Sequence, residues 1–96
     1  MDETKAETLR ETFMDNFDAP DGVTFGNGEY YPKPCPGESD EDWKVAYLEK
    51  PTHIVSVYGL AGSDALQPFY ETEEDMWWGE PGDAEQVAVD VEQEMR

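Results

Sequence analysis

Cys35 and His53 are the only thiol and the only imidazole in the chain, the nearest it comes to a nucleophile and its base. A working Cys–His pair needs a third group to orient the imidazole and an electropositive setting to hold the thiolate. Here the field is strongly negative, which raises a thiol pKa, so the plain reading is a loop cysteine and a strand histidine. Ser63 lies in Ala61-Gly62-Ser63-Asp64-Ala65, which lacks the two flanking glycines of a nucleophile elbow. Gly26-Asn27-Gly28 lacks the third glycine and the following helix of a dinucleotide fingerprint. Asp40-Glu41-Asp42 and Glu73-Glu74-Asp75 could gather a hard cation. An EF-hand loop, however, needs glycine at its sixth position, and counted from Asp40 that position is Val45. A carboxylate pair for glycoside chemistry needs a substrate cleft, for which 96 residues leave little room. The expectation is no enzyme, no cofactor and no dedicated metal site.

What remains is charge. Twenty-four acids against six bases give a net charge of −18. Nucleic-acid binders need a basic footprint to replace the counterions on phosphate, and six scattered bases cannot supply one. The expected partners are therefore basic proteins, not DNA, RNA or an anionic membrane. One cysteine fits a reducing compartment. No apolar run approaches the ~18 residues of a membrane span, and Met1-Asp2-Glu3 has the wrong charge for a signal peptide. A cytoplasmic location is expected, in the host if the protein is viral. Disordered acidic chains lack aromatics, whereas this one has twelve. Residues 1–96 should form one folded domain, monomeric or homodimeric, with a core that rests heavily on rings.

The elements that would position the acids can be read from spacing. Residues 5–17 predict an amphipathic helix, with Thr4 and Glu7 as a capping box and Ala6, Leu9, Phe13 and Phe17 on the buried face. Val23–Phe25 and Glu29–Tyr31 around Gly26-Asn27-Gly28 suggest a short hairpin, followed by a proline-rich loop. Trp43, Val45 and Tyr47 alternate with Lys44, Ala46 and Leu48, and His53–Leu60 is β-branched and apolar, which predicts a central hairpin. Ser63 could cap a turn of helix. Pro68 could open another helix running to about Trp78. Residues 84–95 fit either period; the run of helix formers at the end, and Asp83 with Gln86 as a capping pair, favour helix. The fold class expected is α+β: a small antiparallel sheet with an N-terminal amphipathic helix and one or two further helices.

The acids are not evenly spread. Residues 45–70 carry only −1, while residues 71–96 carry −9. Glu3, Glu7, Glu11 and Asp15 fall at steps of four along one helix edge, where like charges cost roughly 0.2–0.5 kcal/mol per pair. Some pressure outweighs that cost. A 96-residue domain has an expected diameter of about 32 Å, and 18 charges occupy about 31 Å of duplex DNA. Charge density therefore matches that of a nucleic acid of the same size. The steepest segment, with Glu71, Glu73, Glu74 and Asp75 around Trp77 and Trp78, is the expected partner-binding site. The Glu3/Glu7/Glu11/Asp15 edge would be a second contact, and Asp40, Glu41 and Asp42 a third. Neighbouring helical residues point about 100° apart, so one tryptophan should face the core and the other solvent.

With acidic segments at Glu3–Asp18, Glu38–Asp42 and Glu71–Asp83, the chain resembles, in size and charge, the small virus-encoded inhibitors of restriction and CRISPR systems that imitate DNA. The resemblance implies a stoichiometric inhibitor that blocks DNA binding by a basic nucleic-acid-binding protein or complex. Two alternatives stand beside it. Salt-adapted proteins are also acidic, but they tend to favour arginine over lysine, and here lysine leads by four to two. An acidic, antitoxin-like subunit that neutralises some other basic protein fits the composition equally well.

Overall fold

The computed structural model describes residues 2–26, 33–34, 43–60 and 62–96. Helix α1 spans Glu3–Asn16 and starts two residues earlier than its spacing predicts. Its cap is Asp2, whose carboxylate accepts the Lys5 N–H at 2.8 Å, and not Thr4. Thr4 lies inside the helix, where its carbonyl accepts the Thr8 hydroxyl. A carboxylate at this position also complements the positive end of the helix dipole, which a threonine cannot do.

The sheet is antiparallel throughout. Strands β1 (Thr24–Phe25), β3 (Trp43–Lys50), β4 (His53–Gly59), β5 (Leu66–Thr72) and β6 (Met76–Trp78) lie side by side in that order. Strand β2 (Lys33–Pro34) joins the same edge of β3 as β1 does. The predicted hairpin of β3 and β4 is present, joined at Pro51-Thr52. Its strict alternation is not, because a bulge between Lys44 and Ala46 buries both Val45 and Ala46 and turns Tyr47 to the other face. For the earlier hairpin, Thr24–Phe25 pairs with Glu49 and Leu48 of β3, and the return arm 29–31 lies outside the described residues.

The helix expected from Pro68 to Trp78 is instead the β5–β6 hairpin. Leu66, Pro68 and Tyr70 are buried while Gln67, Phe69 and Glu71 are half-exposed, a period of two that a helix cannot satisfy. Proline within a sheet removes a ladder donor. Here Gly79 N–H still donates to the Pro68 carbonyl at 2.8 Å. The Gly79 carbonyl, which a residue-68 amide would have served, takes the Gln67 side-chain amide at 3.0 Å instead. Nor does Ser63 begin a helix; its hydroxyl accepts the Ala65 N–H in a local turn.

Gly79 also explains how the edge closes on the proline. A Cβ there would stand 2.7 Å from both the Pro68 ring and the Tyr70 ring. We expect Gly79→Ala to cost about 1 kcal/mol, since two ring systems must shift. A urea titration would show it as a lower midpoint at unchanged slope.

Helix α2 (Ala84–Glu94) resolves the ambiguous last segment as helix, capped as its sequence suggests by Asp83 accepting the Gln86 N–H at 2.9 Å. One helix thus follows the sheet, giving the expected α+β class. Helix α1 lies over β3 and α2 over β5. Between the helices and the sheet, Ala6, Phe13, Leu48, Val55, Val57, Leu66, Val87, Val91 and Met95 are fully buried. The core is mainly aliphatic and does not rest on rings as the composition suggests, because Tyr47, Tyr58, Phe69 and Trp78 lie half-exposed or exposed outside it. Rings gather at one end, where Phe13 stacks on Phe17 at 5.5 Å and Phe17 meets Phe25 edge-on at 6.1 Å.

Candidate functional site

The two helices run in the same direction. At one end Lys5 of α1 pairs with Asp64 at 2.9 Å and shares a groove with the α2 cap Asp83. At the other end Glu92 of α2 accepts the Asp18 N–H just beyond α1, at 2.9 Å. Lys50, at the turn between β3 and β4, donates from Nζ to the Met95 carbonyl, which places both helix C-termini at the turn end of the sheet. The β5–β6 turn lies beside it, because His53 is the register partner of Thr72.

Three sources of negative potential therefore meet at one end. The first is the pair of helix C-termini, whose last turns contain no basic residue of their own, although Lys50 and Arg96 bring cations to the end of α2. The second is a set of carboxylates at the helix ends and strand ends: Asp15, Asp18, Asp90, Glu92, Glu94, Glu49 and Glu71. The third is the turn itself, where Glu73, Glu74 and Asp75 are all exposed. Thr72 builds that turn. Its hydroxyl oxygen accepts the N–H of Asp75 at 3.1 Å and of Glu74 at 3.4 Å, and its own N–H donates to the Asp75 carbonyl at 2.8 Å. Asp75 Oδ1 then accepts the Met76 N–H at 2.8 Å. Backbone order is supplied by Thr72 and Asp75, while Glu73 and Glu74 point their charge outward from a braced loop.

Burial first, then the charges of Glu94 and Asp90, raise the Tyr70 hydroxyl well above its ordinary value. The Glu92 carboxyl is held below its ordinary value, first by the hydrogen bond from Arg96 and then by the Asp18 N–H. The stability that joint contributes is present above the ordinary carboxylate range and is lost as pH falls through the lowered value.

Sequence and structure agree on some sites and part on others. Glu3, Glu7, Glu11 and Asp15 are all exposed along α1, as expected. Only Asp15 lies toward the acidic end; Glu3 lies at the far end, in the first turn of α1. Asp40, Glu41, Asp42 and Cys35 lie outside the described residues. Trp77 and Trp78 face opposite ways, because strand neighbours alternate. Trp77 stacks on buried Tyr70 at 5.4 Å on the helix side, and Trp78 is 55% exposed on the other. His53 borders a shallow cleft of about 300 Å³ with Thr52, Thr72, Glu73 and Glu74. Among the described residues no three His, Cys, Asp or Glu side chains gather closely enough to hold a metal ion. Glu49, Asp90, Glu92 and Glu94 had no signal as site residues, since their convergence depends on helix direction. Among the described residues, no helix is long and apolar enough to cross a membrane.

Comparison of the chain with protein-family models, with curated proteins and with solved structures finds no match.

Proposed function

We propose that this chain is a non-enzymatic interaction protein whose acidic surface stands in for a nucleic acid and occupies the basic surface of a nucleic-acid-binding protein or complex. The observation that carries this reading is density of charge. The fold measures 31 × 28 × 25 Å, the full chain carries a net −18, and a duplex places about 18 charges on the same 31 Å. Lys5 pairs with Asp64 and Arg96 with Glu92, but six bases cannot neutralise twenty-four acids, so most carboxylates have no cation of the chain's own. Bound to a groove built for phosphate, such a surface blocks nucleic acid both sterically and by occupying its countercharges. Affinity capture from a lysate at low salt should recover a nucleic-acid-binding protein, and added duplex DNA should release it. Recovery that DNA leaves unchanged overturns the reading.

A second reading, salt adaptation, is favoured by one observation. Glu3, Glu7, Asp64, Asp83 and Glu85 are also exposed, and they cluster around the end remote from the acidic turn. Carboxylates on every side suit solvation better than one docking face. Amide dispersion followed from about 0.1 M to about 3 M salt separates the two. Mimicry expects a folded spectrum at low salt, where screening is weakest; collapse that molar salt reverses assigns the acidity to salt.

A further inference from the structure

The sheet face turned away from the helices is aromatic. Tyr47, Tyr58, Phe69 and Trp78 succeed one another on β3, β4, β5 and β6, with the Trp78 ring 4.8 Å from Phe69 and 5.5 Å from Tyr58. The Lys44 ammonium stands 5.7 Å from the centroids of both Tyr47 and Tyr58, so this face already seats a cation over its rings. At its β6 margin the apolar surface opens to solvent: Met76 is 64% exposed and Trp78 55%.

That margin borders the acidic turn. Met76 follows Asp75 directly and is the register partner of Glu71, which lies on the same face as Trp78 and one diagonal away. Exposed tryptophan beside carboxylates is the composition of an interface hot spot with a charged rim. The occupant can be argued from charge. A second copy would bring another net −18 against the same acidic margin. An added peptide strand would find only three residues of β6, with the Met76 N–H already held by Asp75. A guanidinium fits both halves of the surface at once: its plane stacks on an indole while its N–H groups donate to carboxylates.

We propose that the β6 margin of this sheet face docks an arginine-bearing segment of the basic partner, with a guanidinium lying on Trp78 and donating hydrogen bonds to the carboxylates of Glu71 and the 73–75 turn. This rests on the reading of the chain as a binder of basic proteins and names the chemistry of that partner.

The test uses the full chain with two peptides of equal charge, octa-arginine and octa-lysine, at physiological salt. Octa-arginine should bind about threefold or more tighter, the size of one guanidinium–ring contact at a partly exposed site. It should also shift the indole N–H resonance of Trp78 more than that of Trp77. Trp78→Ala should shrink the preference for octa-arginine, leaving only the part due to hydrogen bonds with the carboxylates, and Trp78→Leu, which keeps apolar bulk on the edge strand, should do the same if the alanine variant folds poorly. Equal affinities for the parent protein, or a preference undiminished by loss of the indole, overturn the arginine assignment while leaving the acidic reading standing. Failure of both peptides to bind even at low salt overturns both. Sedimentation that shows a dimer dissolved by Trp78→Ala assigns the face to a second copy and overturns the proposal.

Discussion

Phe13→Ala should destabilise the protein by about 3–5 kcal/mol, the range for emptying a buried phenylalanine site. Phe13 is fully buried, stacks on Phe17, and fills the space between α1 and the sheet. Domains of this kind are stable by only about 5–15 kcal/mol, so the loss takes a large fraction of the total. Phe25→Ala serves as the internal comparison. That ring is 43% exposed and touches Phe17 edge-on, so its removal should cost well under the Phe13 value. Urea denaturation of both variants checks the prediction. Equal costs would mean that α1 does not cover β3 as described.

Phe13 was legible in the sequence for a physical reason. Ala6, Leu9, Phe13 and Phe17 keep a helical period that no strand could bury on one side, and the Asp83–Gln86 pair marked the start of α2 in the same local way. The hairpin of β3 and β4 was legible too, since β-branched residues cluster in His53–Leu60. What failed was the segment from Leu66 to Trp78. Pro68 reads locally as a helix start, and its tolerance in β5 depends on Gln67 and Gly79, a residue eleven positions away that a helix would have set apart. The bulge at Lys44 and Ala46 was equally hidden, because alternation in the sequence looks regular across it. The acidic end was legible only in part. Glu73, Glu74 and Asp75 stand out as a run, whereas the meeting of α1 and α2 at their C-termini is set by topology. Helix direction over a sheet follows from the route of the chain through β3 to β6, which no local spacing records.

Association with the basic partner, or with octa-arginine in its place, should fall at least tenfold, about 1.4 kcal/mol, when Glu73, Glu74 and Asp75 are all changed to lysine. The fold should survive, because Thr72 contributes the hydrogen bonds that bend the turn and keeps them in the variant. Asp75 complicates the triple change, since its carboxylate also holds the Met76 N–H beside the proposed docking face. Glu73→Lys/Glu74→Lys with Asp75 retained therefore isolates charge from turn geometry. Exposed rim charges act mainly through encounter, so the loss should appear in the association rate and shrink as salt rises. Glu3→Lys/Glu7→Lys makes the same change in net charge at the far end of α1 and is the control for position. A smaller loss there places binding at the acidic end. Equal losses mean that total charge alone governs association, which sinks the site and suits salt adaptation. If the triple variant binds as the parent does, the turn is not the contact, and the α1 edge of Glu3, Glu7, Glu11 and Asp15 becomes the surface to test.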